Sequence, residues 1–577
     1  MTRLPLSHEV SRRALLAGVG GAAAVATLPR VVLAHAVLDN AIFRHGVASG
    51  DPAQRSVVLW TRVTGEGEIE VEWEVSASPG FETIVRSGKT AAGPERDHTV
   101  KVLADGLEPG GLWFYRFRAL GTESRTGRAR TLPEGKLDRL GIALASCSNY
   151  AFGYFNAYDA IARDADVDFV LHTGDYIYEY AADGWGSDVA KTIGRVHQPA
   201  NEIVSLADYR QRHAQYKTDA GSQAMHAAHT LLACWDDHES ANNPWTGGAQ
   251  NHQPDKEGDW AARRAASIRA YFEWMPVREP EWLEHSRSRA RTEFWRSYSF
   301  GDLATLCTLE TRHTARAKQI SYMGWVEQIR SKEDADRLRR EVLGKPGRRM
   351  LAPALEADLA ENLARSVKGG QPWRLIGNPM PIAKTDVPDF VALGILPEPQ
   401  IVRKPDGTVD VGKMLNSHPG ADIAWKGKWN LPFYPDTWGG YPWAREELYK
   451  LSRRAGAGDL IFLTGDSHSF WANRLADDTG RSAGIEIGTA GISSPGDFEA
   501  RGFSPKEAAA IDKALADHVE EVLWTDNLHR GYVRVTLTRS RGQADFVAVS
   551  TVRSTDYFTR TIRRMNFQRD DGEVKFS

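Results

Sequence analysis

Asp466 and His468 place a carboxylate and an imidazole two positions apart in the sequence GDSH. They follow directly on an apolar run, Leu460 to Leu463, which is typical of a buried strand. A turn requires neither side chain, whereas a bound metal ion would use both as ligands. The spacing therefore predicts that this strand end contributes two side chains to a metal site.

Four other apolar segments end in the same way, in IALASC, VLHTGDYIY, LLACWDDH and RLIGN. The polar side chains that follow or end them are those of Cys147, Asp175, Tyr178, Asp237, His238, Asn242, Asn243 and Asn378. A single such residue is more often a turn residue or a helix cap. In an α/β sheet, however, strand ends meet along one edge, where these folds place their sites. Five strands with this pattern predict one shared metal cluster.

The types of donor atom restrict the choice of ion. Carboxylate, phenolate and thiolate groups are anionic and suit a hard, highly charged ion, and Asp and Asn oxygens suit Ca²⁺, Mg²⁺ or Mn²⁺. The sequence has no CxxC or HExxH motif, no G-x-S-x-G elbow and no Walker loop, which argues against zinc sites, serine hydrolases and P-loop enzymes. Two or more ions would lower the pKa of bound water and clamp a phosphoryl group.

The remaining pattern predicts the elements that position these side chains. Residues 37–132 alternate apolar and polar positions, as in EIEVEWEV, which predicts a small all-β sandwich of about seven strands. From 133 to 577, short apolar strands alternate with helical stretches. We therefore expect an α/β layered core behind the sandwich. Leu355, Leu359 and Leu363 share one face of a predicted helix.

The N-terminus has the features of an export signal. The pair Arg12-Arg13 precedes a Gly/Ala-rich apolar run (14–28), and the A-x-A triplet at 34–36 offers cleavage after either alanine. We predict a twin-arginine signal peptide over 1–36 that is recognised by the twin-arginine translocase, and hence a periplasmic or extracellular protein. The alternative is a membrane anchor, but the run is shorter than the roughly 20 apolar residues of a span. No later segment predicts a stable membrane span.

Composition is that of an ordinary globular protein. The 577 residues are 42% hydrophobic and 25% charged, with a net charge of −3, so no nucleic-acid partner is expected. Three cysteines, an odd number in an exported chain, argue against a disulfide framework. We expect Cys234 and Cys307 to be buried as small apolar side chains. The oligomeric state stays open.

A set of motifs resembles the PhoD-type alkaline phosphatase/phosphodiesterase family of the calcineurin-like metallophosphoesterase superfamily. They are FRHGVASGDPAQRSVVLWTRV, ASCSNY, GDYIYEY, DYRQRHAQYKTD, CWDDHE, LETR, GDSHSFWAN and GISSPG. The resemblance implies a metallophosphoesterase core of two sheets flanked by helices, preceded by the β-sandwich. It also implies an exported hydrolase of small phosphate esters, which uses a metal-activated hydroxide and forms no covalent intermediate.

The resemblance also implies a metal complement of Fe³⁺ with Ca²⁺, for which Mn²⁺ or Mg²⁺ are the alternatives. Carried over to this sequence, Cys147, Tyr178 and His468 would bind iron. Asp175 would bridge to the second metal, and Asp466 would lie with the calcium ligands.

The motif WDDH supplies two further roles by the same resemblance. Asp237 would be a metal ligand and catalytic residue, and His238 the proton donor or phosphate contact. Asn242 and Asn243 are candidate metal ligands, or else they cap or orient the loop.

Arg312, Arg316 and Asn378 are candidate substrate-binding residues; the alternative for the arginines is surface or helix-end charge. The departures from the family's usual residues are Glu310, Pro379 and Gly439. They leave the predicted metal ligands intact and put the shape of the substrate in doubt.

Two other functions fit the same residues. The first is a phosphodiesterase or phospholipase D-like enzyme that acts on phospholipid or cell-wall polymer diesters. The second is a secreted binding protein without catalysis, against which the intact ligand set argues.

Replacing Arg12 and Arg13 together with lysine is expected to trap the precursor in the cytoplasm, because the twin-arginine machinery recognises that pair. Cell fractionation followed by immunoblotting measures the distribution. Normal export of the double variant would show that the signal is of another kind.

Overall fold

The computed structural model describes residues 31–33, 40–279 and 295–577. Apart from Val31–Leu33, the predicted signal peptide with Arg12 and Arg13 lies outside the described residues. The strands are β1 (Val31–Leu33), β2 (Val47–Gly50), β3 (Ser56–Arg62), β4 (Ile69–Ser76), β5 (Ile84–Ala92), β6 (Thr99–Asp105), β7 (Leu112–Ala119), β8 (Thr122–Glu123), β9 (Gly127–Arg130), β10 (Arg139–Ala145), β11 (Phe169–His172), β12 (Thr230–Ala233), β13 (Pro244–Trp245), β14 (Gly248–Ala249), β15 (Ser297–Phe300), β16 (Ala304–Thr308), β17 (Trp373–Asn378), β18 (Leu460–Thr464), β19 (Phe470–Ala476), β20 (Ser482–Gly488), β21 (Val522–Asp526), β22 (Arg530–Thr538), β23 (Gly542–Val549), β24 (Asp556–Asp570) and β25 (Glu573–Phe576).

The α-helices are Asn156–Ala162, Ser187–Ile193, Leu206–Tyr216, Ala220–Ala228, Pro254–Glu257, Trp260–Trp274, Lys332–Arg337, Pro353–Lys368, Val411–Leu415, Ala421–Lys428, Pro442–Arg454, Asp497–Ala500 and Pro505–His518. Leu355, Leu359 and Leu363 are buried on one face of the helix Pro353–Lys368, as the sequence predicted.

Two large mixed sheets form the core. The first runs β1-β24-β23-β22-β10-β11-β12-β2-β3-β6, and β10, β11, β12 and β2 are parallel. The second runs β15-β16-β17-β18-β20-β19-β21, and β16, β17, β18 and β20 are parallel. In each sheet the parallel strands occupy the centre, where apolar side chains cover both faces.

The two sheets pack face to face through one apolar cluster. Leu144 and Leu171 of the first sheet contribute to it together with Leu375 and Leu463 of the second, and all four are fully buried. The opposite face of each sheet is covered by helices, which pack in separate apolar clusters. The predicted combination of mixed sheets, helices and an N-terminal β region is confirmed.

The N-terminal strands form two layers, one of which is continuous with the first sheet of the core. Strands β4, β5, β7, β8 and β9 make a five-stranded sheet, whereas β2, β3 and β6 extend the first sheet of the core. Thr230 of β12 pairs with Ser49 of β2 in parallel register. The two N-terminal layers enclose their own apolar cluster, which includes Leu59 and Tyr115. Alternation along the sequence identifies such strands but does not reveal which sheet they join.

Within the described ranges, the helices lack the length and apolar character that a membrane crossing requires. Cys234 and Cys307 are buried free thiols, as predicted, and Cys147 is also buried and free.

Candidate metal centre

The predicted ligands lie close together at the carboxyl ends of the central strands. Cys147 follows β10, Asp175 and Tyr178 follow β11, and His468 follows β18 of the other sheet. The Cys147 Sγ lies 3.3 Å from the Asp175 Oδ2, and the Tyr178 hydroxyl lies 3.2 Å from the same oxygen and 3.1 Å from the His468 Nε2. The site therefore spans the edge where the two sheets meet.

Side chains that can bind metals form three groups that share Asp175. Within each group the ligand atoms all lie within 4.8 Å of one another. The groups are Cys147, Asp175 and His468; Asp175, Asp237 and His238; and Asp175, Asp236, Asp237 and Asp466. Such contiguous groups suit two or more ions that share a bridging carboxylate.

Four of these residues have left-handed backbone conformations. The φ angles are 61° at Cys147, 57° at Asp175, 63° at Asp466 and 55° at His468. Each such residue other than glycine costs about 1–3 kcal/mol, and strain of this kind clusters at functional sites. The tight turns direct the side chains into the gap between the sheets, where the extended strands alone would not place them.

Hydrogen bonds fix the orientation of two candidate metal ligands, His468 and Tyr178. The carbonyl of Pro495 lies 2.9 Å from the His468 Nδ1 and accepts its proton, which leaves the Nε2 lone pair directed at the cluster. Desolvation lowers the pKa of His468 to about 4, so the imidazole is neutral. The Ser494 hydroxyl donates to the Tyr178 oxygen at 2.9 Å.

Burial raises the pKa of the Cys147 thiol, and the nearby Asp175 carboxylate raises it further. Burial also raises the pKa of the Tyr178 phenol, together with the charges of Asp175 and Cys147. Thiolate and phenolate forms at this position therefore require a cation beside them.

Arg312 contacts the acidic side of the site, in addition to the neighbouring His238 ring. The fully buried Arg312 donates its Nε proton to Asp236, and its Nη2 lies 3.0 Å from the Asp466 Oδ1 and 3.7 Å from the Asp237 Oδ1. Burial raises the pKa of Asp175, and neighbouring carboxylates add to this effect. Burial likewise raises the pKa of Asp466. One guanidinium does not balance four carboxyl groups.

Two carboxylate oxygens of this side accept no hydrogen bond. Among the described residues, no donor reaches the Asp236 Oδ2 or the Asp237 Oδ1, although both are buried. Buried polar atoms are nearly always paired, because desolvation without a partner is costly. Unpaired oxygens among carboxylates are the donors that Ca²⁺, Mg²⁺ or Mn²⁺ prefer. The residues present thus fit a hard cation.

His238 is held by a buried carboxylate that the sequence analysis missed. The His238 Nδ1 lies 2.6 Å from the Glu179 Oε2, and its ring stacks on Tyr178 at a centroid distance of 4.2 Å. Burial lowers the pKa of His238, but the charges of Asp237, Glu179 and Asp175 outweigh burial and raise it overall. These charges favour the positively charged form of the ring. Glu179 follows Tyr178 directly in GDYIYEY, which was the available signal.

Glu239 was also missed, and it joins two of the loops. Its carboxylate accepts the backbone N–H groups of Asp175, Tyr176 and Asp236 at 3.1, 2.7 and 2.9 Å. Burial raises the pKa of Glu239 to about 7. The residue follows His238 in CWDDHE and fixes the loop after β11 against the loop after β12.

The two asparagines line the site but are bonded elsewhere. The Asn243 amide donates to the Gln250 Oε1 at 2.8 Å, and its backbone N–H donates to the Asp237 Oδ2 at 2.8 Å. The Asn242 backbone N–H donates to the Glu179 Oε1 at 2.7 Å.

Two predicted substrate residues lie outside the cavity. The buried Arg316 guanidinium donates to the carbonyl of Asp436 and lies 5.2 Å from the centroid of the Tyr441 ring. The Asn378 amide donates to the carbonyl of Met380 at 2.6 Å and is also buried. The hydrogen bonds that these side chains form are to other groups of the protein, whereas the buried Arg316 Nε has no partner among the described residues.

An open cavity of about 300 Å³ gives access to the site. Its lining residues are Asp175, Tyr180, Trp185, Asp237, His238, Asn242, Asn243, Tyr434, Asp436, Asp466, Ser467, His468 and Asp497. A larger cavity of about 830 Å³ lies beside Arg445 and Glu521, but in the described part of the chain it holds no group of metal-binding side chains. The smaller cavity is therefore the candidate for chemistry.

Most of the chain is similar in sequence to proteins that are already known. Residues 142–546 match the family described as PhoD-like phosphatase, and residues 30–133 match its N-terminal domain. The chain is 32% identical over 524 residues to Alkaline phosphatase D of Bacillus subtilis (strain 168). The alignment covers 87% of this chain and 77% of that protein. A solved structure of PhoD has a TM-score of 0.71 at 27% identity and covers 93% of this chain and 92% of that one.

Asp175→Asn is expected to lower both metal content and hydrolysis by orders of magnitude, because Asp175 belongs to all three groups of ligands. Elemental analysis of the purified variant measures the bound metal directly. Asp545→Asn is the matched control, since Asp545 is a fully buried carboxylate that pairs with Arg534 and Arg564 instead. Full metal content in the Asp175 variant would contradict its bridging position.

Proposed function

We propose, on the premise that the chain belongs to the PhoD-like phosphatase family, that this cluster holds the metal ions of its active site. The chain is a phosphoric ester hydrolase of the alkaline phosphatase type. The observation that carries the proposal is the set of three contiguous ligand groups joined by Asp175. Its two-sheet core with outer helices is, in this proposal, of the metallophosphoesterase type.

The proposed ions are Fe³⁺ and Ca²⁺, with Mn²⁺ or Mg²⁺ as alternatives to calcium. Cys147, Tyr178 and His468 would hold iron, since a thiolate and a phenolate suit a trivalent ion. Asp237 and Asp466 would hold calcium, and Asp236, which lies in the same group, is added to that set. When bound, the ions would lower the pKa of a water molecule and neutralise charge on the phosphate.

His238 is the proposed proton donor to the leaving oxygen. The surrounding carboxylates raise its pKa, its Nδ1 is bonded to Glu179, and its side chain lines the cavity. Glu179 thereby keeps Nε2 available for the substrate. Arg312 lines no part of the cavity and is bonded to Asp236 and Asp466 instead. We assign it the role of positioning these carboxylates rather than the substrate contact that its sequence suggested.

Export is a further part of the proposal. The signal predicted over 1–36 would direct the chain through the twin-arginine translocase to the periplasm or beyond. That route carries folded proteins, which allows metals to be inserted before transport.

A phosphodiesterase activity is the second candidate, and the shape of the cavity supports it. The cavity is open, and the side chains of Tyr180, Trp185 and Tyr434 form part of its wall. Aromatic side chains at that position would accept a second ester group by apolar contact.

The wild-type protein is expected to hydrolyse para-nitrophenyl phosphate with a higher kcat/KM than bis-para-nitrophenyl phosphate. Steady-state kinetics with both compounds measures the ratio. A higher value for the bis-ester would identify a phosphodiesterase. Bound metal without turnover of either compound would favour the binding-protein alternative.

Cys147→Ser is expected to lower iron content and alter a visible charge-transfer band, because a thiolate on ferric iron absorbs visible light. Tyr178→Phe is expected to remove the phenolate part of that band. The controls are Cys234→Ser and Cys307→Ser, whose buried thiols belong to none of the three ligand groups and should leave the colour unchanged. Iron stoichiometry and visible spectra are the measurements. Colourless, iron-free and fully active wild-type enzyme would exclude iron.

A further inference from the structure

Arg212 is a fully buried arginine that donates only to backbone carbonyls. Its Nε lies 2.9 Å from the Gln198 oxygen, and its Nη2 lies 3.0 Å from the Tyr180 oxygen and 3.3 Å from the Pro199 oxygen. Its Nη1 donates to the Tyr178 oxygen. Among the described residues, no carboxylate forms an ion pair with this guanidinium, which is 0% exposed.

This arrangement requires an arginine. Burying a charge is costly unless hydrogen bonds replace its water, and here four carbonyl oxygens do so. The guanidinium is planar and carries five N–H donors in a fixed fork, whereas a lysine ammonium carries three donors on a single nitrogen. Lysine at position 212 would retain the charge but would not reach all four carbonyls.

The four carbonyls lie at the two ends of one loop, residues 178–199, which contains the short helix Ser187–Ile193. Tyr178 and Tyr180 lie where the loop begins, and Gln198 and Pro199 lie where it returns. Backbone hydrogen bonds also join the two ends of the loop. The Ala182 N–H donates to the Ala200 oxygen at 2.8 Å, and the Ile203 N–H donates to the Glu179 oxygen at 3.0 Å. Arg212 therefore fixes both ends of the loop from the helix Leu206–Tyr216.

The fixed segments carry side chains of the candidate site. The Tyr178 hydroxyl reaches Asp175 and His468, and the Glu179 carboxylate binds the His238 ring. The loop also carries Trp185, whose ring stacks on His468 at a centroid distance of 5.8 Å and lines the cavity.

We propose that Arg212 is a positioning residue of the active site. By fixing the carbonyls on both sides of Glu179, it sets the position of the Glu179–His238 pair and of Tyr178. It also sets the position of the Trp185 side chain in the wall of the cavity. The proposal rests on the proposed roles of His238 and Tyr178 in phosphate-ester hydrolysis. It explains why the motif DYRQRHAQYKTD, which supplies no ligand or catalytic side chain, contains a buried arginine.

The test compares Arg212→Lys and Arg212→Met with Arg374→Met. Arg374 is the matched control because it is buried, 7% exposed, and also donates to carbonyls only, those of Ala457 and Gln371. It lies at the beginning of β17, at the opposite end of the strand from the site.

Both Arg212 variants are expected to lower kcat by about 10- to 100-fold, since a displacement of about 1 Å at catalytic groups has effects of this size. KM for para-nitrophenyl phosphate should change by less than about threefold. The Arg374 variant is expected to lose thermal stability comparably but to retain the wild-type kcat. A lysine at 212 should not rescue activity, because donor geometry rather than charge is at issue.

Trypsin gives a second readout that is independent of catalysis. Lys191 is exposed in the short helix Ser187–Ile193 of this loop, and cleavage after it should be faster in both Arg212 variants than in the wild type or the Arg374 variant. Unchanged kcat with unchanged cleavage would overturn the proposal, as would a loss of kcat no greater than in Arg374→Met at equal folded fraction. A parallel His238→Gln variant separates the two hypotheses: full activity there would contradict the proposed mechanism, while cleavage at Lys191 would still decide the role of Arg212.

Discussion

The concentration of negative charge between the two sheets is the constraint on which the structure depends. Asp175, Asp236 and Asp237 are buried, and the Asp466 side chain is 15% exposed. The guanidinium of Arg312 contacts Asp236, Asp237 and Asp466. In a medium of low polarity such a group of carboxylates cannot stay ionised without compensation. In the proposed function, multivalent cations would supply that compensation, and the same ions would serve in the hydrolysis of a phosphate ester.

The fold meets this constraint by separating the ligands along the chain and bringing them together at strand ends. No single loop carries a complete group of ligands; each of the three groups draws on at least two loops. Left-handed turns at Cys147, Asp175 and Asp466 then aim the side chains inward. The strain of these turns is tolerated because buried carboxylates such as that of Glu239 bond to the backbone of neighbouring loops.

Much of this arrangement could be predicted from the sequence, because the end of an apolar run is visible in it. Cys147, Tyr178 and His468 were identified as candidates in this way, and the structure brings them together. Roles that depend on buried hydrogen-bond partners could not be predicted in this way. Glu179 looks like any acidic residue in a loop, and Arg316 looks like a possible phosphate contact, because burial and bonding partners are set by distant parts of the chain.

Sheet order has a consequence for the synthesis of the chain. Strand β10, which leads to Cys147, is flanked on one side by β11 and on the other by β22, close to the C-terminus. Likewise, β2 pairs with β12, which is translated much later. Contacts between such remote segments form slowly and late. A ribosome-bound fragment therefore cannot complete its central sheet, so the sheet edge that carries the candidate metal centre is assembled only after translation has nearly finished.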